Sequence, residues 1–232
     1  MQGVYFGEKH SFKDFGLILT SKIIALPEVK SNYIDIPGSD GTLDLTEAIT
    51  NDVMYKNRKL QFTFSVINYR KQWESVKSNI AKCIHGKSMK IILDCDRTFY
   101  YLGRVFIDSF QEDKRIGKIV ISVDAEPYKY DVSLSTDEWK WDDFNFYNGI
   151  IYNLKNLNCS PETVITIPIR RKMTMPIITS AEETSAVLNG ESVLIEQGSK
   201  TYPEYYFRQG ENTLKIIDGT SSLTIEFRGG EL

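Results

Sequence analysis

Residues 33–64 read YIDIPGSDGTLDLTEAITNDVMYKNRKLQFTF, and the fold turns on how they pair. Tyr33-Ile34-Asp35-Ile36 and Thr42-Leu43-Asp44-Leu45 alternate apolar and polar residues. Strand side chains switch faces at every residue, so each run reads as a short strand. Pro37-Gly38-Ser39-Asp40-Gly41 supplies the backbone angles of a reversal. Pairing with Ile36 opposite Leu43 and Ile34 opposite Leu45 puts all four apolar side chains on one face. That register sets Asp35 against Asp44 on the other face, where like charges repel. A two-stranded ribbon is marginal alone in water. It is expected to need a surface to lie on, in its own domain or in another subunit.

Working outward, Arg58–Ile67 alternates Leu60, Phe62, Phe64 and Val66 inward, which predicts a strand. Trp73, Val76, Ile80, Cys83 and Ile84 recur at helical spacing after Asn68, a capping residue type. The predicted helix, about 69–85, ends at Gly86. Before the ribbon, Val4-Tyr5-Phe6 and Leu17–Leu19 read as strands, the second extending through Lys22–Ile24. Between ribbon and strand, Glu47-Ala48-Ile49 is helix-like and Asn51-Asp52 breaks it. After the helix come strands at Met89–Leu93, Phe99–Ile107 and Ile119–Ala125, with Asp94–Arg97 as a tight turn and Pro127 as an interruption.

Beyond about Tyr130 long helical patterns vanish. Strands are expected at Asn145–Asn153, Thr163–Pro168, Met175–Thr179, Ala186–Leu188, Ser192–Gln197, Glu204–Arg208, Asn212–Ile217 and Ser222–Arg228. Asn189-Gly190, Gln209-Gly210 and Asp218-Gly219 read as turns that punctuate the last four. The spacing points to a sandwich or barrel.

The 232 residues allow one large domain or two of ordinary size, and 41% hydrophobic residues suffice for a sizeable core. A net charge of −3 with a pI near 5.6 gives no basic footprint for nucleic acid. The first residues are polar and aromatic, unlike a signal segment. No apolar run reaches the roughly 20 residues that span a bilayer. Cys83, Cys95 and Cys159 are odd in number and far apart, and read as reduced thiols of a protein made in a cytosol.

Signals for chemistry are sparse. His10 and His85 are the two histidines, and Cys83-x-His85 with Cys95 lacks a second paired metal motif. Asp35, Asp40 and Asp44, and again Asp94 and Asp96, cluster as calcium ligands would, or as solvated turn residues. No Walker A motif, dinucleotide fingerprint or nucleophile elbow occurs. Trp139, Trp141, Phe144, Phe146, Tyr147 and Tyr152, with Tyr202, Tyr205 and Tyr206, either stack on sugars or fill a sandwich core. Two carboxylates placed for glycoside hydrolysis are neither indicated nor excluded. No cofactor is implied. A carbohydrate-binding module and a small glycosidase therefore stand beside a structural reading.

The order of several motifs resembles the distal tail protein (Dit) family of long-tailed bacteriophages. They are Phe15-Gly16-Leu17, Ile36-Pro37-Gly38 with Asp40-Gly41, Asn57-Arg58-x-Leu60, Trp73, His85-Gly86-Lys87, Tyr101-x-Gly103-Arg104 and Ala125-x-Pro127-Tyr128-Lys129. Gly210-x-Asn212-Thr213-Leu214 and Thr224-Ile225-x-Phe227-Arg228-Gly229-Gly230 resemble the family's C-terminal close. The resemblance covers residues 1–130 and 175–232.

The resemblance implies a mainly β chain without enzymatic activity. Residues 1–130 would form an N-terminal β-sandwich-like, ring-forming hub domain with one packed helix and a β arm at about 33–46. Residues 131–232 would form a galectin-like β-sandwich. The implied assembly is a homo-hexameric ring at the virion tail tip, touching the tail tube protein and tail-associated or receptor-binding proteins, with DNA passing non-specifically through its centre and no membrane partner. On this reading Ile34, Asp35, Ile36, Leu43, Asp44 and Leu45 form an inter-subunit arm. Trp73, Val76, Ile80 and Ile84 form the buried stripe of the helix.

Overall fold

The computed structural model describes residues 2–48, 52–66, 73–112, 117–138 and 149–232. They form two compact units: Met1–Asp96 with Tyr100–Pro127, and Arg97–Phe99 with Tyr128–Leu232.

The first unit opens with β1 (Val4–Phe6), β2 (Lys9–His10) and β3 (Leu17–Ile24). The ribbon strands β4 (Tyr33–Asp35) and β5 (Thr42–Asp44) follow, then β6 (Arg58–Val66) and the helix α1 (Trp73–Ile84). Strands β7 (Ser88–Leu93), β8 (Asp96–Glu112) and β9 (Gly117–Asp131) complete it, with Arg97–Phe99 of β8 and the end of β9 from Tyr128 assigned to the second unit. The main sheet runs β2-β1-β7-β8-β9-β6-β3.

The alternation read from the sequence sets this sheet's buried face. Leu60, Phe62 and Phe64 of β6 lie opposite Val123, Ile121 and Ile119 of β9, and all six are buried. The sheet also curls. Phe6 of β1 meets Phe62 and Phe64 edge-on at ring separations of 6.0 and 6.2 Å, although three strands lie between β1 and β6. Lys22 Nζ of β3 donates to Cys95 Sγ at the β7–β8 turn, 2.8 Å away. The two flanks of the sheet thus close on one core.

Ile80 and Ile84 of α1 are fully buried in that core, and Val76 and Cys83 pack against it. The described part of the helix begins at Trp73; that side chain and the proposed cap Asn68 lie outside the described residues. Gly86 takes the expected left-handed conformation, φ +73°. Its N–H donates to Val105 O, and Arg104 Nη1 donates to Gly86 O at 2.6 Å. A cation and a strand therefore hold the helix C-terminus.

Pro127 does not interrupt β9, contrary to expectation. The β6–β9 ladder ends at Ala125, so on that side no partner requires an N–H from residue 127.

The second unit contains β10 (Leu157–Cys159), β11 (Val164–Thr174), β12 (Ile177–Ser180), β13 (Thr184–Leu188), β14 (Glu191–Ile195), β15 (Gly198–Thr201), β16 (Phe207–Asp218), β17 (Ser221–Glu226) and β18 (Gly230–Glu231). Two four-stranded sheets form, β10-β17-β12-β15 and β11-β16-β13-β14. Ile178, Leu223 and Ile225 from the first share one core with Ile167, Ala186, Leu214 and Ile216 from the second. This is a sandwich.

Several expected boundaries change here. No strand spans Glu204–Tyr206; β15 pairs with β12 instead. Of Asn145–Asn153, the described part, 149–153, is not a strand. Gln209-Gly210 is no turn but lies inside β16. Ile169 pairs with Gly210 and Met173 with Arg208, so three residues of β11 stand against Gln209 alone. Gly210 accommodates this bulge with φ +103°. Buried Asn212 bridges it, its Oδ1 accepting from Arg208 N–H at 2.8 Å and its Nδ2 donating to Arg208 O at 2.7 Å.

Candidate functional site: the ribbon and its stem

The ribbon grows from an edge of the main sheet. β3 is the last strand in the order and pairs with β6. Past the end of β3 the ladder continues as a stem. Ala25 N–H donates to Lys59 O, Lys56 N–H to Glu28 O and Lys30 N–H to Met54 O, with Val29 bridged to Tyr55. Beyond the stem, β4 and β5 pair only with each other among the described residues.

The ribbon's register differs from the expected one. Ile34 lies opposite Leu43, Asp35 opposite Thr42 and Tyr33 opposite Asp44. The turn decides this. Ser39 N–H donates to Ile36 O and Gly38 has φ +84°, a type II turn with proline second and glycine third. Ile36 is thereby the first turn residue and leaves the strand. A slip of two residues preserves the faces, so Ile34 and Leu43 still share one. The Asp35–Asp44 repulsion disappears.

Asp44 takes another role. Its Oδ1 accepts the Thr46 N–H at 2.9 Å, and Asn32 N–H donates to Thr46 Oγ1 at 3.1 Å. Leu45 N–H donates to Asn32 O, and Leu45 is half-buried. These bonds close the ribbon's base. Hydrogen bonds from Thr46 hold the Asp44 carboxyl below its ordinary 3.8. A depressed carboxylate stabilises the native state above its unfolded value and loses that contribution as pH falls through the folded one. The Thr46 amide resonance is expected to keep its bonded shift down to about pH 3.8 and to move only below it. An acid titration followed by NMR checks this.

The surface of this excursion is unusual. Every residue from 28 to 44 is exposed. Ile23, Leu26, Val29, Tyr33, Ile34, Ile36 and Leu43 leave 41% to 74% of their surface in water. Single exposed apolar residues are ordinary, but this number on one excursion makes it the candidate interaction surface. The sequence reading identified the ribbon residues but missed Ile23, Leu26 and Val29. The apolar run Ile23-Ile24-Ala25-Leu26 was the available signal; only Ile24 of it packs against the core.

Arg58, at the start of β6, anchors the stem, a role that the motif Asn57-Arg58-x-Leu60 did not reveal. It is buried. Its Nε donates to Ala25 O at 2.9 Å and its Nη1 to Pro127 O at 3.2 Å. Its guanidinium carbon lies 5.2 Å from the Tyr101 ring centroid. Burial pulls the guanidinium below its ordinary value and Tyr101 offsets part of that. The two carbonyls and the ring replace the lost hydration.

Of the remaining candidates among the described residues, His10 and Asp94 are brought together, and their contacts are structural. Asp94 is no solvated turn acid: it accepts from Gly3 N–H at 2.8 Å and meets His10 Nε2 at 3.0 Å. His10 Nδ1 accepts from Phe12 and Lys13 N–H groups, which leaves Nε2 to carry the proton towards Asp94. This pair ties the β1–β2 hairpin to the β7–β8 turn. No group of three His, Cys, Asp or Glu residues suited to a metal occurs among the described residues. Cys83, Cys95 and Cys159 are free.

Trp139, Trp141, Phe144, Phe146 and Tyr147 lie outside the described residues. The Tyr202 hydroxyl accepts from Glu196 N–H and that of Tyr205 donates to Ser192 O. Both rings pack against the sandwich core. No described helix is long and apolar enough to cross a membrane.

The second unit also holds a charged cluster. Arg170 pairs with Asp131 at 2.9 Å and Glu231 at 3.4 Å, and Lys129 with Glu231 at 3.0 Å. Burial pushes the Asp131 carboxyl up and Arg170 draws it back. Burial, and then Asp131, push the Tyr152 hydroxyl up to about 12. The cluster fastens β18 to the end of β9, where Gly230 pairs with Tyr130.

No protein-family model and no curated protein matches the chain. A solved structure does resemble it: the Dit protein (gp 19.1) of SPP1, described as a paradigm of the hub adsorption apparatus in phages that infect Gram-positive bacteria. The likeness covers 100% of both chains with a TM-score of 0.66 and 12% sequence identity. The chain therefore has a Dit-like, mainly β fold, as its motif order implied.

Proposed function

We propose that this chain is a structural protein of a phage tail: a hub component that closes into a ring at the end of the tail tube and connects the tube to the host-adhesion apparatus. The end-to-end fold match to a hub protein carries this reading. Residues 1–130 are the ring-forming part in this reading, and the C-terminal sandwich, galectin-like in kind, faces the adhesion proteins. The ring is a homo-hexamer at the tail tip, and DNA passes through it without sequence recognition.

The exposed ribbon supplies the means of closure. In a head-to-tail ring each subunit can lay one surface on a different surface of its neighbour. Ile34, Ile36 and Leu43 then leave water against the adjoining copy, and each large side chain so buried contributes on the order of 1.5–3 kcal/mol. Asp35 and Asp44 lie on the opposite face, where basic groups of the neighbour would complement them.

The test replaces the pair that the structure places face to face. Ile34→Asp with Leu43→Asp should leave the free chain folded, since surface changes cost within about 0.5 kcal/mol. It should reduce the assembly to the 26.7 kDa chain. Light scattering on the wild type should give six times that mass alone, or six times that mass plus the partner's when the tail tube protein is added. A wild type that stays single under both conditions, or a variant that assembles like wild type, would overturn the reading.

A further inference from the structure

We propose that Arg58 is the positioning residue of the ribbon, fixing the direction in which it leaves the sheet. The inference deepens the proposed role of the ribbon in ring closure and rests on that reading for its consequence, but its geometry lies within one unit.

The chain leaves the main sheet at Ala25 and returns to it at Arg58. Between these points backbone bonds and the exposed Lys56–Glu28 ion pair, 3.2 Å, join the two strands of the stem to each other, and every residue from 28 to 44 is exposed. A two-stranded ribbon is marginal by itself and frays and changes direction unless something ties its root to the sheet. The side chain of Arg58 does. Nε reaches the outgoing strand at Ala25 O, Nη1 reaches β9 at Pro127 O just past the end of the β6–β9 ladder, and the guanidinium face lies over Tyr101 of β8. The backbone of Arg58 meanwhile pairs with Ala125 of β9. One buried plane thus joins both strands of the stem to the two neighbouring strands.

Only arginine has this reach. A planar guanidinium donates in two directions and stacks at once, whereas lysine offers a compact ammonium that serves one site. Fixing the direction matters for a closed ring. A ribbon that samples many angles must be ordered on every contact, and that ordering weakens association.

The experiment uses the full chain, with Arg58→Lys and Arg58→Met. Hydrogen exchange is read at the stem amides of Ala25, Lys30 and Lys56, and at the β6–β9 ladder as a control for folding. We expect the stem amides to exchange about tenfold faster or more in both variants while the ladder keeps its protection. We also expect assembly to require about tenfold more protein. Unchanged stem exchange overturns the inference. So does equal loss of protection in stem and ladder, which makes Arg58 an ordinary core residue. If the stem loosens as expected and assembly is unaffected, Arg58 keeps its positioning role and the ring-closing role of the ribbon fails. The two readings therefore fail separately.

Discussion

Replacing Phe62 by alanine should lower the unfolding free energy of the first unit by about 3–5 kcal/mol. Phe62 is fully buried at the middle of β6. Its ring meets Phe6 edge-on at 6.0 Å and lies tilted to Phe64 at 6.4 Å. It also stands opposite Ile121 on β9 and Lys22 on β3. Removing it leaves a cavity where the two flanks of the curled sheet meet, and strands on both sides would have to move to fill it. The loss is a large share of the 5–15 kcal/mol that domains typically possess. Urea unfolding should show a lower midpoint with an unchanged slope, followed by exchange of the β6 amides. A shift of less than about 1 kcal/mol would mean that Phe6 does not rest on this ring. Ile34, an apolar residue of a similarly alternating strand, should by contrast tolerate a polar replacement in the free chain.

Gly103→Ala should cost about 3 kcal/mol, at the upper end of what overpacking costs. Gly103 is buried in β8, opposite Met89 on β7. A Cβ there would sit 2.6 Å from Asp124 O, 2.7 Å from Ala125 Cα and 2.8 Å from Val123 Cγ1. Two of these atoms are β9 backbone and cannot swing aside, so β8 must part from β9. The proper comparison is Gly41→Ala. Gly41 has φ +78° and open space around its Cβ position, so its cost is conformational, about 1–2 kcal/mol. A Gly103 variant no worse than the Gly41 variant in urea would show that the strands separate freely.

Much of the fold was legible because alternation and helical spacing are local properties. β6, the core of α1, its stop at Gly86 and most strands of the sandwich follow from side chains a few residues apart. Errors arose where local signals are ambiguous. Gln209-Gly210 has turn composition, yet β11 holds it within a bulged ladder, and Asn212 pairs the groups that a turn would have freed. Pro127 breaks a strand only when a neighbour needs its N–H. The ribbon's two strands were read correctly and their register was not, because the Pro37-Gly38 turn draws Ile36 out of β4. Arg58 was visible only as part of the Asn57-Arg58-x-Leu60 motif, and its anchoring of the stem was not, because its partners are 33 and 69 residues away.

By itself, then, the sequence determined which residues share a face, where most of the reversals fall and that its architecture is β with one helix. Only the tertiary structure decided which faces are covered. Phe62 and Ile34 sit in equivalent alternating patterns, yet one is fully buried and the other stands in water. The difference comes from the curl that brings β1 over β6 and from the stem that carries β4 and β5 away from the sheet. Periodicity states the direction of a side chain, while what lies in that direction depends on contacts between residues far apart in the chain.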